Sequence, residues 1–118
     1  MSAKVFNMDN LVAIVDKNDK QAQGMVAERF DLHPIVEKWA AFGWNVIEID
    51  GHNMEEILCA LHSADEAKGR PTVIIACTVK GKGYAPAEEH PVGMHNAPLT
   101  QEQYDNALAA LSSREVKQ

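Results

Sequence analysis

The stretch Thr72-Val-Ile-Ile-Ala-Cys77 is a short, unbroken run of apolar and β-branched residues. Gly69-Arg70-Pro71 comes directly before it, and this combination ends any helix that precedes it. A run of this length and composition is typical of a strand that is buried on both faces of a parallel sheet. We therefore predict a buried strand at residues 72–77.

Two further strands are predicted upstream of this run. Asn10-Leu-Val-Ala-Ile-Val15 is almost continuously apolar, so we expect this strand also to be buried on both faces. Trp44-Asn-Val-Ile-Glu-Ile49 is rich in β-branched residues, which favour strands. The sequence thus predicts three strands, separated by segments long enough to contain helices.

Two helical patterns lie between these strands. Asp31 is a candidate N-cap, Pro34 suits a first turn, and Gly43 ends the first pattern. Its apolar positions are Leu32, Ile35, Val36, Trp39 and Ala40. Asn53 and Glu56 resemble a capping box at the start of the second pattern. Its apolar positions are Ile57, Leu58, Leu61 and Ala64.

The chain changes character after Val79. Residues 80–98 contain three glycines and three prolines without a clear periodicity, so we predict a long excursion, and such loops are often functional. A last helix is predicted from the capping box of Thr100 and Gln103, followed by a polar, frayed tail from Ser112. Its apolar face carries Tyr104, Ala107, Leu108 and Leu111.

Strands that alternate with helices of this length predict an α/β domain in which right-handed crossovers join the strands of a parallel sheet. One domain is the default for a chain of 118 residues. We therefore predict a single three-layer domain over residues 1–118, with the order βαβαβ plus a C-terminal helix.

Composition excludes several classes of function. Apolar residues make up 46% of the chain, while the formal charge of −6 and the pI of about 5.3 argue against nucleic-acid binding. No apolar stretch is long enough for a membrane span, and no signal peptide follows the first residues. Cys59 and Cys77 lie in apolar runs, so we expect two buried packing residues in a reducing compartment and a cytoplasmic protein.

Ligands of open parallel sheets bind outside the carboxyl ends of the strands, which here are followed by residues 16–24, 50–53 and 80–98. In the first of these loops, Asp16, Asn18 and Asp19 offer the oxygen donors that Mg²⁺ or Ca²⁺ prefers. A solvated loop with Asn and Asp in turn positions explains the same residues. The third loop carries His90 and His95, whereas its Gly81-Lys82-Gly83 is only a fragment of a phosphate-binding motif.

Six blocks of the sequence resemble the thiamine-diphosphate-binding domain of transketolases, in the order and spacing of that family. The resemblance is greatest to the second half of the separately encoded N-terminal subunit of two-subunit transketolases, and it implies a fragment of the thiamine-diphosphate-binding fold. The blocks are Asn10-Leu-Val-Ala-Ile-Val-Asp-Lys-Asn18 with Gln21 and Gly24, Trp39-Ala-Ala-Phe-Gly-Trp44, Val46-Ile-Glu-Ile-Asp-Gly-His52, Lys68-Gly-Arg-Pro-Thr-Val-Ile-Ile-Ala76, Thr78-Val-Lys-Gly-Lys-Gly83 and His95-Asn-Ala-Pro-Leu99.

The resemblance implies thiamine diphosphate and Mg²⁺ as cofactors. In the family Mg²⁺ bridges the diphosphate to an aspartate of a Gly-Asp-Gly sequence, an asparagine and a backbone carbonyl. By resemblance Asn18 is the asparagine and Lys20 supplies the carbonyl. His95 matches a family histidine that hydrogen-bonds the diphosphate and the sugar substrate, so it is the implied catalytic residue. The implied reaction is two-carbon ketol transfer between sugar phosphates, in the carbohydrate metabolism of the pentose phosphate pathway.

The departures from the family pattern are specific. The Gly-Asp-Gly segment would lie upstream of Met1, and the catalytic glutamate belongs to the family's second domain, so only a half-site is expected. Ala22 replaces a larger apolar residue, Gln23 an aspartate and Asn96 a glycine. Whether Asp19 stands in for the missing carboxylate is left open.

We therefore expect this chain to be inactive in isolation and to need a partner. The partner would be a C-terminal transketolase subunit with the missing half-site, or a second copy. The alternatives are a non-catalytic remnant or pairing domain of a transketolase, and a fragment of another thiamine-diphosphate enzyme such as a deoxyxylulose-phosphate synthase or a dehydrogenase. The Lys80-Gly-Lys-Gly83 and His95-Asn-Ala-Pro98 blocks favour transketolase.

Overall fold

The computed structural model describes residues 1–115, with side chains described as far as Ser112. No helix in this part of the chain has the length and apolar character needed to cross a bilayer. In chain order the elements are α1 (Ser2–Val5), β1 (Val12–Lys17), β2 (Lys20–Gln21), β3 (Gly24–Met25), α2 (Val26–Arg29), α3 (Ile35–Ala41), β4 (Asn45–Asp50), α4 (Met54–Glu66), β5 (Thr72–Cys77), α5 (Ala85–Glu89) and α6 (Gln101–Glu115).

The chain forms two compact units, which are described separately. The first consists of Met1–Asp19 and Met25–Val79, and the second consists of Lys20–Gly24 and the chain from Lys80 onward. A single domain over residues 1–118 stays a prediction.

The first unit is built on a parallel sheet of three strands in the order β1-β5-β4. β1 and β4 each pair with β5, and both Lys17 and Asp50 stand opposite Cys77, so the carboxyl ends of the three strands are level. The parallel pairing of both strands with the central β5 confirms the predicted parallel sheet and α/β class.

Helices cover both faces of this sheet, which confirms the three-layer arrangement. On one face α4 packs with its small residues Ala60 and Ala64 against Ile49 and Ile74. On the other face α3 packs near Trp44, whose ring meets that of Trp39 edge to face at 4.8 Å. The two crossovers run in opposite directions along the sheet and over opposite faces, so they have the same hand.

β5 is the most buried strand, as predicted. Thr72 through Ala76 are buried, and the side chains of Val73 and Ile75 are 0% exposed. The alternation of side chains along a strand sends Val73 and Ile75 to the α3 face and Ile74 to the α4 face. A central strand between two helical layers turns both of its faces to apolar neighbours, which explains the apolar run from Val73 to Ala76.

The prediction that the first strand is buried on both faces is wrong. β1 is an edge strand, and its exposed residues alternate with half-buried ones. Ala13 and Val15 pack on the α3 face, whereas Ile14 on the other face is 63% exposed. Among the described elements α4 packs on β4 and β5, so the α4 face of β1 stays open.

The first predicted helix begins later than expected. α3 starts at Ile35 with Pro34 at the N-cap, because a residue that precedes a proline is disfavoured in the helical region. Asp31 therefore does not cap α3: its side chain accepts a hydrogen bond from the backbone N–H of His33 at 2.9 Å. Leu32 lies outside the helix and is exposed, contrary to the prediction. Gly43 ends the helix as predicted, with φ +84°.

The second helix has the predicted cap, and of its predicted apolar positions Ile57 and Ala64 pack against the core. The Asn53 side chain accepts hydrogen bonds from the N–H groups of Glu55 and Glu56, at 3.0 and 3.3 Å. Leu58 and Leu61 are exposed, contrary to the prediction, because the side of α4 that faces the sheet carries its alanines. Leu61 lines a cavity of about 230 Å³ on the open face of β1.

The second unit contains α5 and α6. α5 lies within the predicted excursion at residues 80–98, which is otherwise made of turns and irregular segments.

The predicted capping box is confirmed: Gln103 N–H donates to Thr100 Oγ1 at 3.2 Å, and Thr100 N–H donates to the Gln103 side chain at 2.9 Å. α6 continues to Glu115, so the predicted frayed tail from Ser112 is wrong over residues 112–115. Residues 116–118 of that tail lie outside the described residues.

Candidate cofactor site

The carboxyl ends of β1 and β5 are joined by two hydrogen bonds beyond their shared ladder. Thr78 N–H donates to the carbonyl oxygen of Lys17 at 3.1 Å, and the Thr78 hydroxyl donates to the carboxylate of Asp16. Asp16 was one of three candidate oxygen donors for a metal. In this structure one of its carboxylate oxygens binds Thr78, so Asp16 holds two strand ends together.

The carboxyl ends of β4 and β5 are joined in the same way. Gly51 N–H donates to the carbonyl of Cys77, and Val79 N–H donates to Nε2 of His52, both at 2.8 Å. A Cβ atom on Gly51 would lie 2.5 Å from Cγ2 of Thr78, so a larger residue would force Thr78 to shift. We call Asp16, Gly51, His52, Thr78 and Val79 the strand-end network.

Asn18 follows β1 directly, at the edge of the sheet where the strand-end network lies. It belongs to the first unit and is half-buried, whereas Lys20, which opens β2, belongs to the second. Asp19 between them has φ +56°, a left-handed conformation that aspartate tolerates better than most residues. The Asp19 carboxylate is largely exposed and lies 3.9 Å from the ammonium group of Lys17.

His95 lies in the second unit and is exposed, in a turn where its N–H donates to the carbonyl of Val92 at 3.2 Å. Its implied hydrogen bonds to the diphosphate and the sugar substrate stay a prediction. The glycine fragment behaves as the weak motif suggested: the N–H of Gly83 donates to the carboxylate of Glu88 at 2.7 Å. That donor is therefore already bound to an anionic group of the chain itself.

Asn18 and Lys20 carry neutral oxygens of the kind that can bind Mg²⁺. Mg²⁺ takes six oxygens, commonly from one or two carboxylates, from phosphates and from water. Asn18 and the carbonyl of Lys20 would contribute two neutral oxygens. Within the described residues no three His, Cys, Asp or Glu side chains lie where they could hold a metal ion together. A shared metal site at Asn18 and Lys20 stays a prediction.

The two cysteines differ in environment. Cys59 is exposed on α4, so the prediction that it is a buried packing residue is wrong. Cys77 is half-buried at the end of β5, and its thiol lies 3.4 Å from the carboxylate of Glu48. Burial, together with the hydrogen bond to Glu48, raises the pKa of Cys77, while the positive charge of Lys17 opposes part of this rise.

We expect iodoacetamide at pH 8 to alkylate Cys59 several-fold faster than Cys77. The thiolate is the reactive form, and the raised pKa of Cys77 makes its thiolate scarcer. Because folding raises the pKa of Cys77, its protonated thiol stabilises the folded state below the pKa of the unfolded chain. This contribution is lost as the pH rises through the folded-state pKa. The variants Cys59→Ser and Cys77→Ser each leave one thiol for measurement by mass spectrometry. Equal alkylation rates in the two variants would contradict a raised pKa of Cys77.

Solved structures with this fold define the class of protein. The transketolase of Campylobacter jejuni superposes with a TM-score of 0.69 at 24% identity, covering 98% of this chain and 22% of that one. The transketolase of Leishmania mexicana gives 0.68 at 18% identity, covering 98% and 20%. The class is therefore an α/β domain with the parallel-sheet fold found in transketolases.

Sequence comparison then identifies the family. The family model described as "Transketolase, thiamine diphosphate binding domain" matches residues 1–115, and this chain belongs to that family. The 6-deoxy-6-sulfo-D-fructose transketolase subunit SqwG of Clostridium sp. (strain MSTE9) is 43% identical over 104 residues, covering 88% of this chain and 38% of that protein. An apulose-4-phosphate transketolase subunit of Phocaeicola vulgatus is 38% identical over 114 residues, covering 97% and 40%. The chain thus spans about two-fifths of the length of these relatives.

Sequence reasoning missed most of the strand-end network. It placed residues 50–53 in a turn at the ligand-binding edge but gave His52 no partner. The available signal was a glycine between Asp50 and His52, directly after a strand, because a glycine there suggests close approach of another backbone. The partner, Val79, is 27 residues away in sequence, so no local pattern indicates it.

Proposed function

We propose that this domain supplies Asn18 and the carbonyl of Lys20 to a Mg²⁺ ion bound to thiamine diphosphate, in an assembly that transfers two-carbon ketol units between sugar phosphates. One observation carries the proposal: Asn18 follows β1 at the ligand-binding edge of the sheet, in a chain of the thiamine-diphosphate-binding family. The resemblance of the surrounding residues assigns the two donors.

The residues of this chain have separate parts in the proposal. Asn18 and the carbonyl of Lys20 would hold the Mg²⁺ ion through neutral oxygens, and His95 would hydrogen-bond the diphosphate and the sugar substrate. The strand-end network fixes the end of β1, which directly precedes Asn18. When bound, thiamine diphosphate supplies the electron sink for breaking and forming the carbon–carbon bond.

A partner chain is part of the proposal. Asn18 and Lys20 would supply only two of the six oxygens that Mg²⁺ takes, so the remaining ligands come from the diphosphate, from water and from another segment or chain. By resemblance, the missing carboxylate and the glutamate that activates the cofactor also lie in another segment or chain. Two observations support this: the open face of β1 with its exposed Ile14, and the word "subunit" in the names of the relatives. The partner is a C-terminal transketolase subunit that completes the half-site, or a second copy of this chain.

Titration calorimetry tests the need for a partner. We expect the purified chain to give no heat of binding with thiamine diphosphate and MgCl₂, and the chain co-purified with the product of an adjacent gene that encodes Gly-Asp-Gly to bind both. Micromolar binding by the isolated chain would overturn the proposed partner. Failure of every such complex to bind would favour the second candidate, a non-catalytic pairing domain.

In the reconstituted complex, replacing Asn18 with alanine should weaken Mg²⁺-dependent binding of thiamine diphosphate about tenfold, the effect of losing one metal-bound oxygen worth about 1.4 kcal/mol. Asn18→Asp keeps an oxygen ligand and should bind Mg²⁺ at least as well as the wild type. Asn106→Ala, on the exposed side of α6, is the matched control and should leave the Kd unchanged. An unchanged Kd for Asn18→Ala would refute the assignment of Asn18.

A further inference from the structure

His52 is held at both its backbone and its ring. Its N–H donates to the side chain of Asp50 at 2.9 Å, which fixes the turn after β4. Its ring atom Nε2 accepts the N–H of Val79 at 2.8 Å, from a residue 27 positions further along the chain. No catalytic or binding role has so far been given to this histidine.

Val79 stands where the chain leaves the first unit. The ladder between β5 and its neighbours ends at Cys77, and Val79 is the last residue before the second unit resumes at Lys80. The bond to His52 thus fixes the backbone two residues beyond the sheet. This exit leads into residues 80–98, which carry His95.

We propose that His52 is a positioning residue: its Nε2 fixes Val79 and thereby the direction in which the segment carrying His95 leaves the sheet. The consequence for cofactor binding rests on the function proposed above. The direction of the chain at Val79 is a property of the first unit alone and can be measured without any cofactor.

The geometry defines what His52 must offer. To accept this hydrogen bond, Nε2 must offer a lone pair. Leucine has similar bulk and no acceptor, whereas the Oε1 atom of glutamine lies close to the place of Nε2 and can accept. A comparison of His52→Leu with His52→Gln therefore separates the hydrogen bond from the volume of the ring.

Hydrogen exchange of the Val79 amide in the full chain, followed by NMR, tests the first step. We expect about three- to tenfold faster exchange in His52→Leu, the effect of losing one hydrogen bond, and nearly wild-type exchange in His52→Gln. His62→Leu is the control, since His62 is an exposed residue of α4 whose ring lies 3.5 Å from Glu66. Unchanged Val79 exchange in His52→Leu would overturn the proposal. Should that variant fail to fold, His52→Asn, whose side chain is too short to reach Val79, allows the same comparison.

Calorimetry with thiamine diphosphate and MgCl₂ in the reconstituted complex tests the second step. We expect His52→Leu to raise the Kd about three- to tenfold and His52→Gln to restore it. If Asn18→Ala weakens binding and His52→Leu does not, the positioning role is wrong while the proposed function holds. If Asn18→Ala has no effect, the proposed function is wrong, and Val79 exchange still decides whether His52 fixes the exit of the chain.

Discussion

Replacing Ile75 with alanine is expected to lower the free energy of unfolding by about 2–5 kcal/mol. Ile75 is 0% exposed in the central strand, in a cluster with Trp44 and Val73, and the substitution removes three buried carbon atoms. Val73 lies in the same strand, which is paired on both sides, so its side chain cannot move in to fill the cavity. Total stabilities of domains are only about 5–15 kcal/mol, so the loss is a large share of the whole. Urea denaturation followed by circular dichroism measures it.

Ile14→Ala provides the matched control on the neighbouring strand. Ile14 pairs in register with Ile74 but is 63% exposed, so its truncation leaves no cavity. We expect a loss below about 1 kcal/mol, mainly from the lower strand propensity of alanine. Equal losses for Ile75→Ala and Ile14→Ala would contradict the placement of β5 at the centre of the sheet and of β1 at its edge.

Replacing Gly51 with alanine is expected to destabilise the first unit by about 1–3 kcal/mol, the usual cost of overpacking. The new Cβ would lie 2.5 Å from Cγ2 of Thr78, 3.1 Å from Cβ of Ala76 and 3.2 Å from the carbonyl oxygen of Cys77. Thr78 cannot turn away freely, because its hydroxyl is bonded to Asp16. The midpoint of thermal unfolding should fall accordingly.

A second substitution identifies the source of this effect. Thr78→Ser removes the methyl group that collides and keeps the hydroxyl for Asp16, so we expect the double variant Gly51→Ala/Thr78→Ser to recover part of the loss. The contacts to Ala76 and to the Cys77 carbonyl prevent a full recovery. Gly93→Ala is the control, because a Cβ there would meet only the carbonyl of His90 at 3.8 Å. A double variant no more stable than Gly51→Ala would exclude the methyl group as the cause.

Sequence patterns predicted the local features of this fold well. The strand at Thr72–Cys77, the cap at Asn53, the end of α3 at Gly43 and the reciprocal box at Thr100 each depend on residues close in sequence. Two errors concern helix ends, at Asp31 and Ser112, and the others concern exposure. Whether Ile14 or Leu58 is covered depends on which strand is at the edge and where α4 crosses, and neither is encoded within one segment.

In the candidate site, too, the sequence predicted local features and missed contacts between distant segments. Spacing alone placed Asn18 and Asp16 in a loop at the ligand-binding edge but could not distinguish a metal loop from a solvated one, and only the resemblance to a family assigned Asn18 and Lys20. The strand-end network was not predictable. The bond from Thr78 to Asp16 spans 62 residues and that from Val79 to His52 spans 27, so both exist only once the strands are in register.

The central position of β5 has a consequence for synthesis of the chain. β1 and β4 are not neighbours, and each pairs with β5, which is the last of the three strands to leave the ribosome. While residues 1–71 emerge, the growing chain therefore holds two apolar strands and no native ladder between them. At about 5–20 residues per second, the interval from β1 to the end of β5 lasts several seconds. The sheet therefore cannot form until Thr72–Cys77 is present, because both other strands pair only with it.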